Sequence, residues 1–344
     1  MTAPTPRRGR RATRRRTVVA AATAALAAAA FTAPSASAGS DTPAKAPGTS
    51  PSSAEAPATS AGEPELPEGT STDKSLVLGL DGSMLEKIKQ AEAPHLKSLI
   101  ENGTQAPSRL YDTSVAKTES GPGWATVLTG TWPTKHGVKD NSFEGKDFAA
   151  HPDYLTRMEK ADPELSTLAL ASWAPITSPD GNGEIVSDAV DVRVATPADE
   201  YDEGTTSRAV DHLRNGNPDA TFVQLDNIDH AGHESGSESQ EYLDAIAGVD
   251  EQIGRILDAV ESRATYDDET WQIMVTADHG HLPGGGHGGD SDEERSTYVI
   301  GQGPGFEPGA TRDDIEIVDI GATALRHAGV ELPDDLDGTP VEEK

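Results

Sequence analysis

The chain has 344 residues, with 28 Lys and Arg against 58 Asp and Glu, a net charge of −30, and no cysteine. That acidity repels phosphate backbones and excludes a nucleic-acid binder working through a basic surface. The missing cysteines exclude a thiolate nucleophile, a Cys-based zinc site and disulfide staples.

Residues 1–38 read as a secretory signal. MTAPTPRRGRRATRRRT carries seven arginines and no acid, a 14-residue apolar run follows from Val18 to Phe31, and PSASA offers a cleavage site after Ala38. The run is too short to span a bilayer comfortably, so no stable membrane span is expected after cleavage. Thr13 to Val19 also loosely fits a twin-arginine signal. The expected location is therefore secreted. The mature chain would keep 21 bases against 58 acids, a net charge of −37. An anionic substrate would need a strong local positive charge, such as metal ions, to overcome that field.

Residues 39–73 are rich in Pro, Ser, Thr, Ala and Gly and lack large apolar residues in any period. They cannot bury enough surface to offset ordering entropy and read as a disordered linker. Residues 74–344 form the expected folded domain, near the upper limit of one hydrophobic core. KSLVLGL, Lys74 to Leu80, predicts a buried strand ending at Asp81. Leu96, Leu99 and Ile100 carry helical spacing, closed by Asn102-Gly103. STLALASW, Ser166 to Trp173, predicts a second strand, and ATFVQL, Ala220 to Leu225, a third that runs into Asp226 and Asp229. Ser239 to Arg263 predicts an amphipathic helix through Leu243, Ile246, Val249, Ile253, Ile256, Leu257 and Val260. WQIMVT, Trp271 to Thr276, is a fourth strand leading to Asp278; Thr297 to Ile300 is a weaker one; Ile315 to His327 closes as a helix. The alternation predicts an α/β fold, a mostly parallel central sheet with helices on both faces. Sites in such sheets form beyond the C-terminal strand ends, which would bring Asp81, Asp229 and Asp278 to one edge.

Asp278, His279, His281 and His287 fall within ten residues of a glycine-rich loop. Oxygen and imidazole donors suit zinc or manganese. Asp229 and His233 stand four apart, as do Asp226 and His230, and spacing leaves both pairs open. In ESGPGWATVLTG, Ser120 precedes Pro122 and the helical spacing of Trp124, Val127 and Leu128. It reads either as a plain helix cap or as a nucleophile at a helix N-terminus, where the dipole and free N–H groups favour an anion.

Taken together these motifs resemble the alkaline phosphatase superfamily, and within it the type I phosphodiesterase/nucleotide pyrophosphatase branch. LGLDG matches the strand ending in a metal-binding Asp, Asp81. ESGPGWATVLTGTWPTKHGV matches the nucleophile segment followed by TG-x-x-P-x-x-HG, placing Ser120 on the nucleophile. VKDNSF places Asn141 on the residue that holds a phosphoryl oxygen. The D-x-x-G-H motif falls on Asp229 and His233 and prefers that pair over Asp226 and His230. The DHG motif falls on Asp278 and His279, and the later histidine of the first site falls on His287, with His281 the weaker candidate. The resemblance covers nearly all of residues 74–341. It implies a secreted hydrolase of small phosphate esters using two divalent cations, Zn2+ or Mn2+. One, held by Asp81, Asp278 and His279, would activate Ser120. The other, held by Asp229, His233 and His287, would stabilise the leaving oxygen and then serve hydrolysis of a seryl-phosphate. Asn141 and a backbone N–H near Ser120 would meet the phosphoryl oxygens.

Two departures stand out. The Thr-Phe-Pro-Asn of many nucleotide-cleaving members is Ser120-Gly121-Pro122-Gly123 here, which removes an aromatic beside the nucleophile. No large insertion separates the nucleophile from the second metal motif. A sulfatase would need Arg where Trp124 stands. A phosphomonoesterase would add a basic side chain, and Lys117 and Lys135 are the nearest in sequence. The non-enzyme alternative is a secreted metal-binding or interaction protein. Diesters are the favoured substrates.

Overall fold

The computed structural model describes residues 65–179 and 182–344. The expected signal, and the expected linker up to residue 64, lie outside the described residues. The last part of that expected linker is not loose. Leu66 packs on the core, the Gly69 N–H donates to Asn217 O at 2.9 Å, and the Thr70 and Ser71 amides donate to the Asp219 carboxylate at 3.2 Å. The folded domain therefore begins before Lys74, because a single buried acceptor, Asp219, captures two amides that composition alone leaves unassigned.

In chain order the elements are β1 (Asp73–Leu80), α1 (Leu85–Gln90), α2 (Pro94–Asn102), β2 (Thr104–Arg109), α3 (Ser120–Thr129), α4 (Pro133–His136) and α5 (Tyr154–Ala161). Next come β3 (Thr167–Ala171), β4 (Val192–Ala195), α6 (Tyr201–Asn215), β5 (Ala220–Leu225), α7 (Asn227–Ser235) and α8 (Gln240–Glu261). The chain closes with β6 (Thr270–Thr276), β7 (Ser296–Gln302), β8 (Ala310–Thr311) and α9 (Asp319–His327). The strands form one eight-stranded sheet in the order β4-β3-β5-β1-β6-β7-β2-β8. Strands β4, β3, β5, β1 and β6 pair in parallel, and β7 runs antiparallel to both β6 and β2. The fold is the α/β architecture expected from sequence.

The central strands read as continuous apolar runs because both faces are covered. Leu76, Leu78 and Leu80 of β1 point to one core, which they share with Ile246, Val249, Ile253 and Ile256 of α8. Val77 points to the other, with Trp124, Val127 and Leu128 of α3 and Ile320, Ala324 and Leu325 of α9. Each Leu, Ile or Val among them contributes roughly 1.5–3 kcal/mol when fully buried. Ser239 caps α8, its hydroxyl accepting from the Tyr242 N–H at 3.1 Å. All ten residues of α3 are buried, and the helix ends at Gly130 in the left-handed region, φ 65°.

Sequence reading does not register β2, β4, β8 or α6. Pro107 interrupts β2, a strand whose other partner is the two-residue β8. The buried face of α6 is Gly204, Thr205, Thr206, Ala209 and Leu213, which carries almost no apolar stripe.

Candidate metal centre and active site

The three central strands β5, β1 and β6 end level with one another: Leu80 pairs with Leu225, and Gly79 with Thr276. Asp81 follows β1 directly, Asp278 lies two residues past β6, and Asp229 sits in the first turn of α7, just past β5. The strand ends thus collect the three carboxylates at one edge. Ser120 begins α3 above them. A Cβ on Gly123 would stand 2.5 Å from Asp278 O, so glycine is what lets this helix start lie against the Asp278 backbone.

Two clusters result. In the first, Asp81, Asp278 and His279 are wholly buried and Ser120 is 5% exposed. His279 Nε2 lies 3.3 Å from Ser120 Oγ, 3.3 Å from Asp278 Oδ2 and 3.6 Å from Asp81 Oδ1. The His279 Nδ1–H donates to Gly280 O at 3.1 Å, which leaves the Nε2 lone pair facing the cluster. Asp81 Oδ2 accepts from Trp124 Nε1 at 2.8 Å and from Gln224 Nε2 at 2.9 Å, and Asp278 Oδ1 accepts from the Gly82 N–H at 3.1 Å. The other oxygens, Asp81 Oδ1 and Asp278 Oδ2, are buried without any hydrogen-bond partner. Burial first, then repulsion among Asp81, Asp278 and Asp229, pushes the Asp81 carboxyl well above its ordinary range; burial does the same to Asp278. Burial also holds His279 well below the usual imidazole value, keeping it neutral. Two orphaned carboxylate oxygens beside a neutral imidazole lone pair and a hydroxyl fit a divalent cation, which would reverse the protonation preference of both acids.

In the second cluster, His233 Nε2 lies 3.4 Å from Asp229 Oδ2, and His287 Nε2 lies 3.6 Å from Asp229 Oδ1 and 3.0 Å from His233 Nε2. The His287 Nδ1–H donates to Thr118 O at 2.7 Å, again turning the Nε2 lone pair inward. His281 joins them with its Nε2 2.7 Å from Asp229 Oδ1. Burial acts to raise the Asp229 carboxyl, but the His281 hydrogen bond and the surrounding imidazoles hold it down to about 2. Donor atoms of Asp229, His233, His281 and His287 all lie within 4.8 Å of one another, as do those of Asp81, Asp229 and His279. This donor set fits a second cation.

The alternative pair comes apart. The Tyr201 hydroxyl donates to Asp226, and exposed His230 faces Glu234 at 3.6 Å. Asn141 lies beside Ser120, but its Oδ1 accepts from the Gly121 N–H at 2.6 Å. The backbone donor next to Ser120 is therefore spent on orienting Asn141, which leaves the Asn141 amide hydrogens for a substrate oxygen. The aromatic missing from position 121 is supplied by Phe143, whose Cζ would be 3.2 Å from a Cβ there and whose ring lies 6.0 Å from Trp173. Lys117 pairs with Glu119 at 3.2 Å, and Lys135 with Asp337 at 2.6 Å. Sequence reasoning missed Trp124 and Gln224 as holders of Asp81. Only the spatial adjacency of β1, β5 and α3 reveals them.

A parallel sheet whose strand ends gather acids and imidazoles beside a helix-borne serine defines a hydrolase scaffold of the alkaline phosphatase superfamily. A family model described as type I phosphodiesterase/nucleotide pyrophosphatase matches residues 75–290, and the chain belongs to that family. Rat ectonucleotide pyrophosphatase/phosphodiesterase family member 7 is 27% identical over 232 residues, 60% of this chain and 49% of that protein. The chain spans about half the length, or less, of the curated relatives it matches. Murine ectonucleotide pyrophosphatase/phosphodiesterase 5, solved as an inactive variant in complex with AMP, superposes with a TM-score of 0.61 at 15% identity, covering 78% of this chain and 99% of that one. A sulfatase fold from Bacteroides thetaiotaomicron superposes with a TM-score of 0.61 at 16% identity, covering 78% and 73%. Members of the family are hydrolases. Among the described residues no helix is long and apolar enough to cross a membrane.

Proposed function

We propose that this protein is a secreted, two-cation phosphoric ester hydrolase that works through a phosphoserine at Ser120 and prefers diesters. The observation that carries the reading is the pair of buried, unpartnered oxygens, Asp81 Oδ1 and Asp278 Oδ2, next to His279 Nε2 and within reach of the Ser120 hydroxyl. Bound cations would supply the positive charge that lowers the Ser120 hydroxyl pKa and meets charge on the phosphoryl group. Asp81, Asp278 and His279 would hold one; Asp229, His233 and His287 the other.

The chain's own groups do the rest. Packing of α3 fixes Ser120 at a helix start, so its oxygen is aimed without further ordering cost. Asn141, pinned through Oδ1, offers its amide to an equatorial phosphoryl oxygen. Ser120 Oγ gives up its proton and attacks phosphorus, one ester oxygen leaves and takes up a proton as the alcohol, and water then cleaves the remaining seryl phosphodiester, releasing the phosphate monoester and restoring the serine hydroxyl.

Diester preference rests on the engagement of the two cationic side chains that stand nearest the nucleophile segment as candidates. Lys117 and Lys135, the two candidates, are both engaged by carboxylates. A sulfatase reading is disfavoured because Trp124, in place of Arg, spends its donor on Asp81.

Ser120→Ala should lower kcat on an aryl phosphodiester by at least 10³-fold, within the range of nucleophile loss. Fold and cation content should stay at wild-type levels. Retained turnover in this variant would defeat the proposal. The ratio of aryl diester to monoester rates in the wild type decides the substrate class.

A further inference from the structure

We propose that His281 is a fourth protein ligand of the cation assigned to Asp229, His233 and His287, closing that site into a cage of one carboxylate and three imidazoles. The inference rests on the two-cation reading above and concerns which side chains complete one of its sites. His281 and His287 are then not alternatives for one position; both are used.

His281 is wholly buried, and its Nε2 reaches Asp229 Oδ1 at 2.7 Å. The other edges of the cluster are 3.0, 3.4 and 3.6 Å. Donors around a four-coordinate ion at about 2.0–2.1 Å stand roughly 3.3 Å apart, and these edges straddle that value. The rings also approach from different directions. His281 lies at 88° to His233 and 83° to His287, with centroids 5.1 Å apart in both cases. Crossing at these angles leaves room for the imidazoles to converge on one point.

The fold makes a niche for this ring. A Cβ on Gly82 would meet its Cδ2 and Nε2 at 2.8 Å, and a Cβ on Gly232 would meet Nε2 at 2.7 Å. Two separate elements thus lack a side chain just where Nε2 sits. Ser237 Oγ holds the backbone by donating to His281 O at 3.0 Å. The other ring nitrogen, Nδ1, is buried without a hydrogen-bond partner. Coordination through Nε2 would use the nitrogen that already faces Asp229 Oδ1.

A site with four protein ligands holds its ion firmly and offers substrate one position fewer than a three-ligand site.

The test uses the full-length protein stripped with chelator and titrated with Co2+ alone, read by visible absorption and by bound equivalents. Wild type should take up two equivalents, one of them with the intense bands of four-coordinate Co2+. His281→Gln should bind that equivalent at least ten-fold more weakly, with its bands reduced, while the other equivalent and the metal-free melting temperature hold. Gly232→Ala puts a methyl against the ring on a helix where alanine is the better former, and should shift the same equivalent in the same direction. Wild-type affinity and spectrum in His281→Gln would overturn the proposal. Should that variant not fold, an unchanged titration in Gly232→Ala would overturn it instead. Fewer than two equivalents on the wild type would instead defeat the two-cation reading itself.

Discussion

Trp124 shows how a side chain behind the acids shapes the centre. Its indole N–H and the Gln224 amide both donate to Asp81 Oδ2, so the carboxylate is fixed with Oδ1 free. Trp124→Phe keeps most of the ring volume and removes one donor. Cation affinity should fall about 10–100-fold, as measured by calorimetric titration, with the fold intact. The candidate ligands were legible because each sits at a strand end or inside a short motif: Asp81 after LGL, Asp278 and His279 after WQIMVT, Asp229 and His233 after ATFVQL. Trp124 was not, because its partner lies 43 positions away and only sheet packing joins them. Phe143 was hidden for another reason. It adopts a left-handed backbone, φ 56°, that no pattern of neighbours announces.

Short helix α4 matters through His136, the histidine of the TG-x-x-P-x-x-HG segment. It is wholly buried, with Nε2 3.2 Å from Thr126 Oγ1 and Nδ1 accepting from the Val138 N–H at 3.1 Å. Burial, followed by the charge of His151, lowers its pKa to about 3. A folded value below the unfolded one means the neutral form is favoured. Its contribution is complete above about pH 6.5 and is lost as pH falls from there towards 3, on the order of 5 kcal/mol in all. His136→Gln should therefore lose less stability than wild type between pH 7 and pH 4 in urea unfolding. Helix α8 makes a contrasting case. Its apolar stripe was plain in the sequence, and Ile253→Ala should cost about 2–5 kcal/mol by the same measurement, with little pH dependence. Helix α6 was illegible because small and hydroxylic residues make its buried face, and Thr205 instead bonds to Ser172 and Thr196 across the packing. A helix held by polar complementarity leaves no period for hydropathy to report.

The chain as a whole carries a net charge of −30, and the phosphate ester proposed as its substrate is also negative. Approach to the site is therefore uphill at low ionic strength. Raising monovalent salt from about 10 to 150 mM shortens the screening length from roughly 30 to 8 Å. kcat/KM for an anionic diester should rise over that range while kcat changes little; a fall would show that local cations already dominate the field at the distance of encounter. The parallel order of the sheet was legible from the alternation of strands and helices. The reversed strand β7 was not, because an antiparallel neighbour and a parallel one draw on the same residues.

The complete burial of Asp81, Asp278 and His279 also bears on how the protein acquires its charge. A cation seated among them would exchange slowly with the medium, because entry and release would draw on local opening around the strand ends.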